Sequence, residues 1–120
     1  MSLDFDAAVA KAIEALKAEG FGALTDIDVA ATVKQKLGVE FRKYRILGAC
    51  NPPLALKALV AEDKIGVTLP CNAIVQERAE GGVELAAIDP RAAMQRIGNP
   101  ALAAVAEDVA ERLARALQGV

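Results

Sequence analysis

Cap-then-proline steps at Asp89-Pro90 and Asn99-Pro100 place the strongest constraint on how this chain folds, because each step marks the start of a helix. The Asp or Asn side chain accepts a hydrogen bond from a free N–H group of the first turn, and proline has no N–H of its own to leave unpaired there. Pro52-Pro53 acts in a similar way and predicts a third helix over 54–61. The chain is therefore divided into short helices with other elements between them.

Strand-like runs occupy the intervals between the helices. Asp4 and Asp28 are expected to cap two earlier helices, which Gly20 and Gly38 end. A turn at 80–82 joins the last two strands into a hairpin. The predicted strands are 21–27, 44–50, 65–69, 73–76 and 83–88. This order predicts an α+β fold, with an antiparallel sheet of about four strands and helices packed on one face.

Three of the predicted helices carry an apolar face, and that of the last is expected to point inward. In the first helix the apolar positions are Phe5, Val9, Ala12, Ile13 and Leu16. Spacings of three and four residues define these faces, as is typical of helices that pack on a core. In the second helix the face consists of Val29, Val33 and Leu37, and in the last, which runs to about residue 117, of Leu102, Val105, Val109, Leu113 and Leu117.

Length and charge narrow the class of protein. The 120 residues are expected to form one domain, 1–120. Fourteen basic and 16 acidic residues give a formal net charge of −2 with the signs interspersed, so no nucleic-acid partner is expected. No apolar run approaches the roughly 18 residues of a membrane helix, and no secretory signal is recognised. The sequence predicts a cytoplasmic protein without a membrane partner.

The residues available for catalysis are few. The chain has no histidine, and Ser2 is its only serine, so Ser-His-Asp and Cys-His arrangements are excluded. The carboxylates are scattered and show no recognisable acid–base pair. No catalytic residue and no cofactor is therefore predicted, and binding is favoured over an enzymatic function.

A pair of cysteine motifs is the candidate site. Cys50 and Cys71 are each followed by an asparagine, Asn51 and Asn72, and each has a proline within two residues. Cys50 lies before a predicted helix, whose free N–H groups favour a thiolate. The two thiols and two amides are interpreted as one shallow site for a soft metal ion such as Cu(I), or for a small ligand. Residues expected to shape it are Gly48, Pro52, Pro53 and Pro70.

Other interpretations of the cysteines stay open. A thiol-redox protein would use Cys50 and Cys71 as a reversible disulfide, provided that their Cα atoms lie within about 7 Å of each other. A structural interaction domain would bury both sulfurs as inert packing. Asn51 and Asn72 have a simpler role open to them as well, since asparagine side chains often tie down turns.

Several segments together resemble the domain-of-unknown-function 302 family of bacteria and archaea. They are Phe5-Asp6, Glu19-Gly20-Phe21-Gly22, Lys36-Leu37-Gly38-Val39, the run 44–53 and Leu69-Pro70-Cys71-Asn72. The resemblance implies a fold similar to the TATA-box-binding-protein-like β-α-β(4)-α arrangement, often as a homodimer, and it implies no reaction. The family's opening strand is expected to be short or missing here, because Met1-Ser2-Leu3 leads almost directly into helix. Native residues removed ahead of this point would explain that departure.

Overall fold

Five α-helices and four strands make up the computed structural model, which describes residues 4–120. The helices are α1 (Phe5–Ala18), α2 (Val29–Leu37), α3 (Pro52–Ala61), α4 (Pro90–Gln95) and α5 (Ala103–Gln118). Short 3-10 helices span Asp63–Thr68 and Pro100–Leu102. The strands are β1 (Gly22–Asp28), β2 (Tyr44–Cys50), β3 (Cys71–Glu77) and β4 (Val83–Ala87). The predicted α+β class is confirmed.

Side-chain caps begin most of these helices, as the sequence predicts. Asp28 accepts a hydrogen bond from the N–H of Ala31, Asp89 from that of Arg91, and Asn99 from that of Ala101, each at 3.0 Å. At α1 the prediction is wrong in one respect: the Asp4 side chain makes no capping bond, and only its backbone oxygen accepts from the helix.

The four strands form one antiparallel sheet in the order β1-β2-β3-β4, so each strand pairs with its neighbour in sequence. Strand alternation sends successive side chains to opposite faces. One face carries Leu47, Ala49, Ala73 and Val75, all buried under α1 and α5 together with the rest of the core. We call this the covered face and the opposite one the open face.

The predicted strand 65–69 is wrong. Residues Asp63–Thr68 form a 3-10 helix, and β3 begins only at Cys71, after a cis Leu69-Pro70 peptide bond. A short apolar run does not by itself distinguish strand from helix. Here Ile65 is fully buried whereas Val67 is 90% exposed, so only one of its apolar side chains belongs to the core.

Helix α2 has its predicted apolar face but does not bury it. Its main contacts are with β1 and β2 at the edge of the sheet, and it has no buried residue. Leu37 in particular is exposed. Gly38 ends the helix as predicted, with a φ of 67° that suits glycine.

Two further predictions concern the ends and the exterior of the molecule. The predicted short or missing opening strand falls on residues 1–3, which lie outside the described part of the chain. Across 4–120, no helix is both long enough and apolar enough to cross a membrane.

Candidate functional site

The two cysteines lie at neighbouring strand ends. Cys50 is the last residue of β2 and Cys71 the first of β3, and the register pairs Ala49 directly with Cys71. Strands lie about 4.8 Å apart and rise about 3.3 Å per residue, so Cα atoms one step off direct opposition are about 6 Å apart. The sheet therefore brings the two sequence motifs together at one corner of the molecule.

Both cysteines line the same small cavity, which we call the sulfur cavity. It measures about 20 Å³ and lies where β2 and β3 meet α3, α4 and α5. Its walls are otherwise almost entirely apolar, with Phe21, Leu54 and Val105 among the contributors. A volume of this size is enough for one water molecule or a single ion and too small for an organic ligand.

The two thiols differ in burial. Both cysteines are free, with Cys71 buried and Cys50 half-buried. Burial raises the pKa of the Cys71 thiol above its ordinary value, because the thiolate loses its hydration, and the nearby Cys50 raises it further. The pair is close enough to interact electrostatically, although the alternation that turns Cys71 to the covered face turns Cys50, which follows Ala49 on β2, to the open one.

Asn51 lies at the sulfur cavity but is held by structural hydrogen bonds. Its Oδ1 accepts from the N–H of Leu54 and so caps α3, while its Nδ2 donates to the carbonyl oxygen of Glu19, both at 3.4 Å. Gly20 makes room for this amide: it has a φ of 87°, and a Cβ there would lie 2.8 Å from Nδ2. Asn51 thus joins the start of α3 to the end of α1.

Asn72 is placed away from the cysteines. It is exposed and does not line the sulfur cavity, because alternation along β3 turns Cys71 to the covered face and Asn72 to the open one. It lies opposite Gly48 in the register. The structure therefore brings Cys50, Cys71 and Asn51 together and leaves Asn72 outside.

Of the prolines predicted to shape the site, one lines the sulfur cavity and two do not. Pro70 lines the sulfur cavity and packs close to Gly48, where a Cβ would lie 2.8 Å from the proline Cγ and would overlap Thr25 Oγ1. Pro52 and Pro53 form the first turn of α3 and do not line the cavity. They act by directing the chain out of β2.

Met94 is a residue that the sequence analysis does not single out. It lies on α4, is 4% exposed, and lines the sulfur cavity together with Cys50 and Cys71. It also lines a second, larger cavity of about 420 Å³ between α4 and α5, which we call the α4–α5 cleft. The sequence signal that would have found it is a count of soft sulfur donors that includes thioethers as well as thiols.

Ligand counting limits the metals that this corner can hold. Among residues 4–120, no group of three or more His, Cys, Asp or Glu side chains is positioned to hold a metal ion. A structural zinc site takes four nitrogen or sulfur ligands, which the sulfur cavity does not supply within one chain. Two thiols and a thioether instead match the donors that Cu(I) prefers.

Comparison with known proteins shows which family this chain is related to. The family model described as "Domain of unknown function DUF302" matches residues 1–120. A crystal structure of an uncharacterized conserved DUF302 protein from Bacillus stearothermophilus superimposes with a TM-score of 0.90 at 29% identity, covering 98% of this chain and 91% of that one. No curated protein matches the sequence. The chain belongs to the DUF302 family, whose function is unknown.

Proposed function

We propose that this protein is a binding module for one soft metal ion, Cu(I) in the first instance, held by the thiolates of Cys50 and Cys71. The observation that carries the proposal is that both cysteines line one cavity with room for a single ion. An organic ligand, which the sequence left open, fits this volume poorly. A reducing cytoplasm, the predicted location, would keep both thiols free for the ion.

The amides have a supporting part in this proposal. Asn51 caps α3 and so fixes the chain that leaves Cys50, while its polar atoms are already engaged by Leu54 and Glu19. Asn72 takes no part, because it is exposed and does not line the sulfur cavity. The proposed ligands are therefore the two thiols, with the amide holding one of them in position.

Native mass spectrometry tests the proposal directly. The protein is reduced, loaded with one equivalent of Cu(I) without oxygen, and compared with Cys50→Ser and Cys71→Ala variants. One copper per wild-type chain and a loss of copper in both folded variants are expected. Circular dichroism of each variant checks the fold. Copper retention by both variants, or no copper on the wild type, overturns the proposal.

Thiol-redox chemistry is the competing function that the same spectra detect. The spacing of about 6 Å between the Cα atoms falls in the disulfide range of about 4.4–6.8 Å, but the register directs the two side chains to opposite faces of the sheet, so a disulfide would also need the chain to turn at Cys50, the last residue of β2. Treatment with a small-molecule disulfide, which takes up the two electrons and two protons, would then lower the mass of the chain by two hydrogens. A disulfide that forms readily and is reversed by mild reductant, without copper binding, would replace the metal proposal by a redox one.

A homodimer built on the open face is the second part of the proposal. A row of apolar side chains crosses all four strands of this face in direct register: Ile27, Ile46, Ile74 and Ala86. Ile27 at one end is 46% exposed. Four strands span only about 19 Å, so the face is at the small end of stable interfaces and fits a weak dimer of two copies, row against row.

Sedimentation at increasing concentration tests the dimer. The wild type is expected to shift from monomer towards dimer, and Ile74→Lys, in the middle of the row, to remain monomeric with an unchanged circular dichroism spectrum. Val67→Lys is the matched control, because Val67 is an exposed apolar residue on the 3-10 helix Asp63–Thr68, outside the sheet. A wild type that stays monomeric, or an Ile74→Lys variant that still dimerises, removes the open face as the interface.

A further inference from the structure

Met94 lies between two cavities of the molecule. It lines the sulfur cavity on one side and the α4–α5 cleft on the other, and it is almost fully buried between them. We infer that Met94 is the third ligand of the soft metal ion and the point at which the ion passes between the sulfur cavity and the α4–α5 cleft. This inference rests on the proposed binding of a soft ion by Cys50 and Cys71.

The chemistry of a thioether suits a third donor in this place. Thiolate and thioether ligands select Cu(I) among biological metals. A thioether is neutral, so it adds a donor without adding a buried charge to the two thiolates, and burying a further charge would be costly. Two thiolates and the Met94 thioether would thus complete a three-coordinate site, whereas Zn²⁺ would still lack a fourth ligand.

The position of Met94 also offers a route by which an ion would reach the sulfur cavity. The sulfur cavity holds about 20 Å³, and the α4–α5 cleft, at about 420 Å³, is large enough for a small thiol or chelator that delivers the ion. Methionine is unbranched with three rotatable bonds, so its sulfur is able to turn from one cavity to the other without movement of α4.

The rim of the α4–α5 cleft is suited to stay in place while Met94 moves. Arg91 on α4 and Glu107 on α5 form an ion pair at 3.3 Å that joins the two helices across the cleft. At the other end, the Asn99 side chain donates to the carbonyl oxygen of Ala61 at 2.9 Å and caps the chain before α5. The moving part is therefore one side chain rather than a helix.

The ligand role of Met94 is tested with Met94→Leu, a substitution that keeps the volume of the side chain. Competition with a Cu(I)-specific chelator is expected to show one copper per chain at an affinity weakened at least about tenfold, since even outer contacts of metal sites are worth that much. X-ray absorption should show three sulfur neighbours in the wild type and two in the variant. Leu102→Met is the matched control: Leu102 lines the cleft only, and affinity should not change.

The outcomes separate this inference from the proposed function. If the wild type binds no Cu(I), the proposed function fails. If the wild type and Met94→Leu bind Cu(I) with the same affinity, and X-ray absorption shows two sulfur neighbours in both, the proposed function stands and the ligand role of Met94 is wrong. A Met94→Leu variant that fails to fold is replaced by Met94→Ile, judged by the same two readouts.

The passage through the cleft has its own test, because it concerns rates rather than affinity. Ala103 lines the α4–α5 cleft, whereas the next residue, Ala104, is also exposed and does not line it. Ala103→Trp is expected to slow transfer of Cu(I) from the protein to a chelator several-fold with no change in equilibrium affinity, and Ala104→Trp to leave the rate unchanged. Equal rates for the two variants would overturn the passage.

Discussion

The two faces of the sheet share one backbone and differ in what covers them. On β2, Leu47 points to the covered face and is fully buried, whereas its neighbour Ile46 points to the open face and is only half-buried. Leu47 belongs to the core cluster that also contains apolar residues of α1 and α5. Neighbouring apolar residues on one strand therefore contribute very different amounts to the stability of the fold, because only one of the two is fully buried.

Truncation of neighbouring β2 residues should show the largest difference between the faces. Leu47→Ala removes a fully buried side chain and is expected to lower the free energy of unfolding by about 2–5 kcal/mol, because it loses apolar burial and leaves a cavity. Ile46→Ala on the open face should cost about 1 kcal/mol. Urea denaturation at low protein concentration measures both, and equal losses would show that the open face is covered in solution.

The corner that holds the cysteines does not follow the simple division into two faces. Gly48 belongs to the open face by alternation, yet it is buried, because Thr25 and Pro70 close over it. A methyl group at Gly48 would overlap Thr25 Oγ1 and lie 2.8 Å from Pro70 Cγ. The open face is therefore filled by the protein's own side chains next to the candidate site.

Gly48→Ala tests whether Thr25 and Pro70 pack as closely over Gly48 as the structure shows. The added methyl group is expected to lower the free energy of unfolding by about 1–3 kcal/mol through overpacking. Gly66→Ala is the matched control, since no heavy atom lies within 4 Å of a Cβ at that position, and it should be nearly neutral. Adding Thr25→Ala to Gly48→Ala should recover part of the loss in thermal denaturation. A fully stable Gly48→Ala variant would contradict the close approach.

The two asparagines that follow the cysteines give a smaller contrast between the faces. Asn51→Ala removes the cap of α3 and is expected to cost about 1 kcal/mol, while Glu19 keeps a hydrogen bond from Arg112 at 3.3 Å. Asn72→Ala, on the open face, should stay within about 0.5 kcal/mol of the wild type. Chemical denaturation measures both. If the two variants were equally unstable, the structural assignment of Asn51 would lose its support.

Local signals explain why most of the fold follows from the sequence. Caps at Asp28, Asp89 and Asn99 work through atoms two or three residues away, so residue order alone reveals them. The 3-10 helix Asp63–Thr68 escaped prediction because its single buried side chain, Ile65, is selected by tertiary packing. An apolar pattern of five residues fits strand and helix equally well.

The candidate site was predictable only in part for a similar reason. Two cysteines at neighbouring strand ends follow from the antiparallel order, and the outward direction of Asn72 follows from alternation once β3 is known to begin at Cys71. The approach of Met94 to the cysteines depends on how α4 packs on α5, which no spacing in the sequence encodes. Register and helix packing supply what residue order does not.

A charged pair at the edge of the covered face gives the smallest expected effect among these tests of the two faces of the sheet. Asp26 pairs with Leu47 in the register, but β1 is an exposed edge strand, and apolar packing there gives way to an ion pair. Arg45 donates from Nε to Asp26 Oδ1 at 2.7 Å and from Nη2 to Oδ2 at 2.6 Å. These hydrogen bonds hold the pKa of Asp26 below its ordinary value.

The sign of the pH effect follows from that lowered pKa. Stabilisation by the Asp26 carboxylate is present above the pKa of the unfolded chain and is lost as pH falls through the lower pKa of the folded state. Asp26→Asn should therefore be less stable than the wild type at neutral pH, by at most about 1 kcal/mol for a partly exposed pair, and the difference should vanish in strong acid. Urea midpoints across the acid range measure it. Glu40→Gln, at the exposed Lys34–Glu40 pair, is the control and should show no such dependence. A stability difference for Asp26→Asn that does not change with pH would mean that packing, not charge, closes this edge of the covered face.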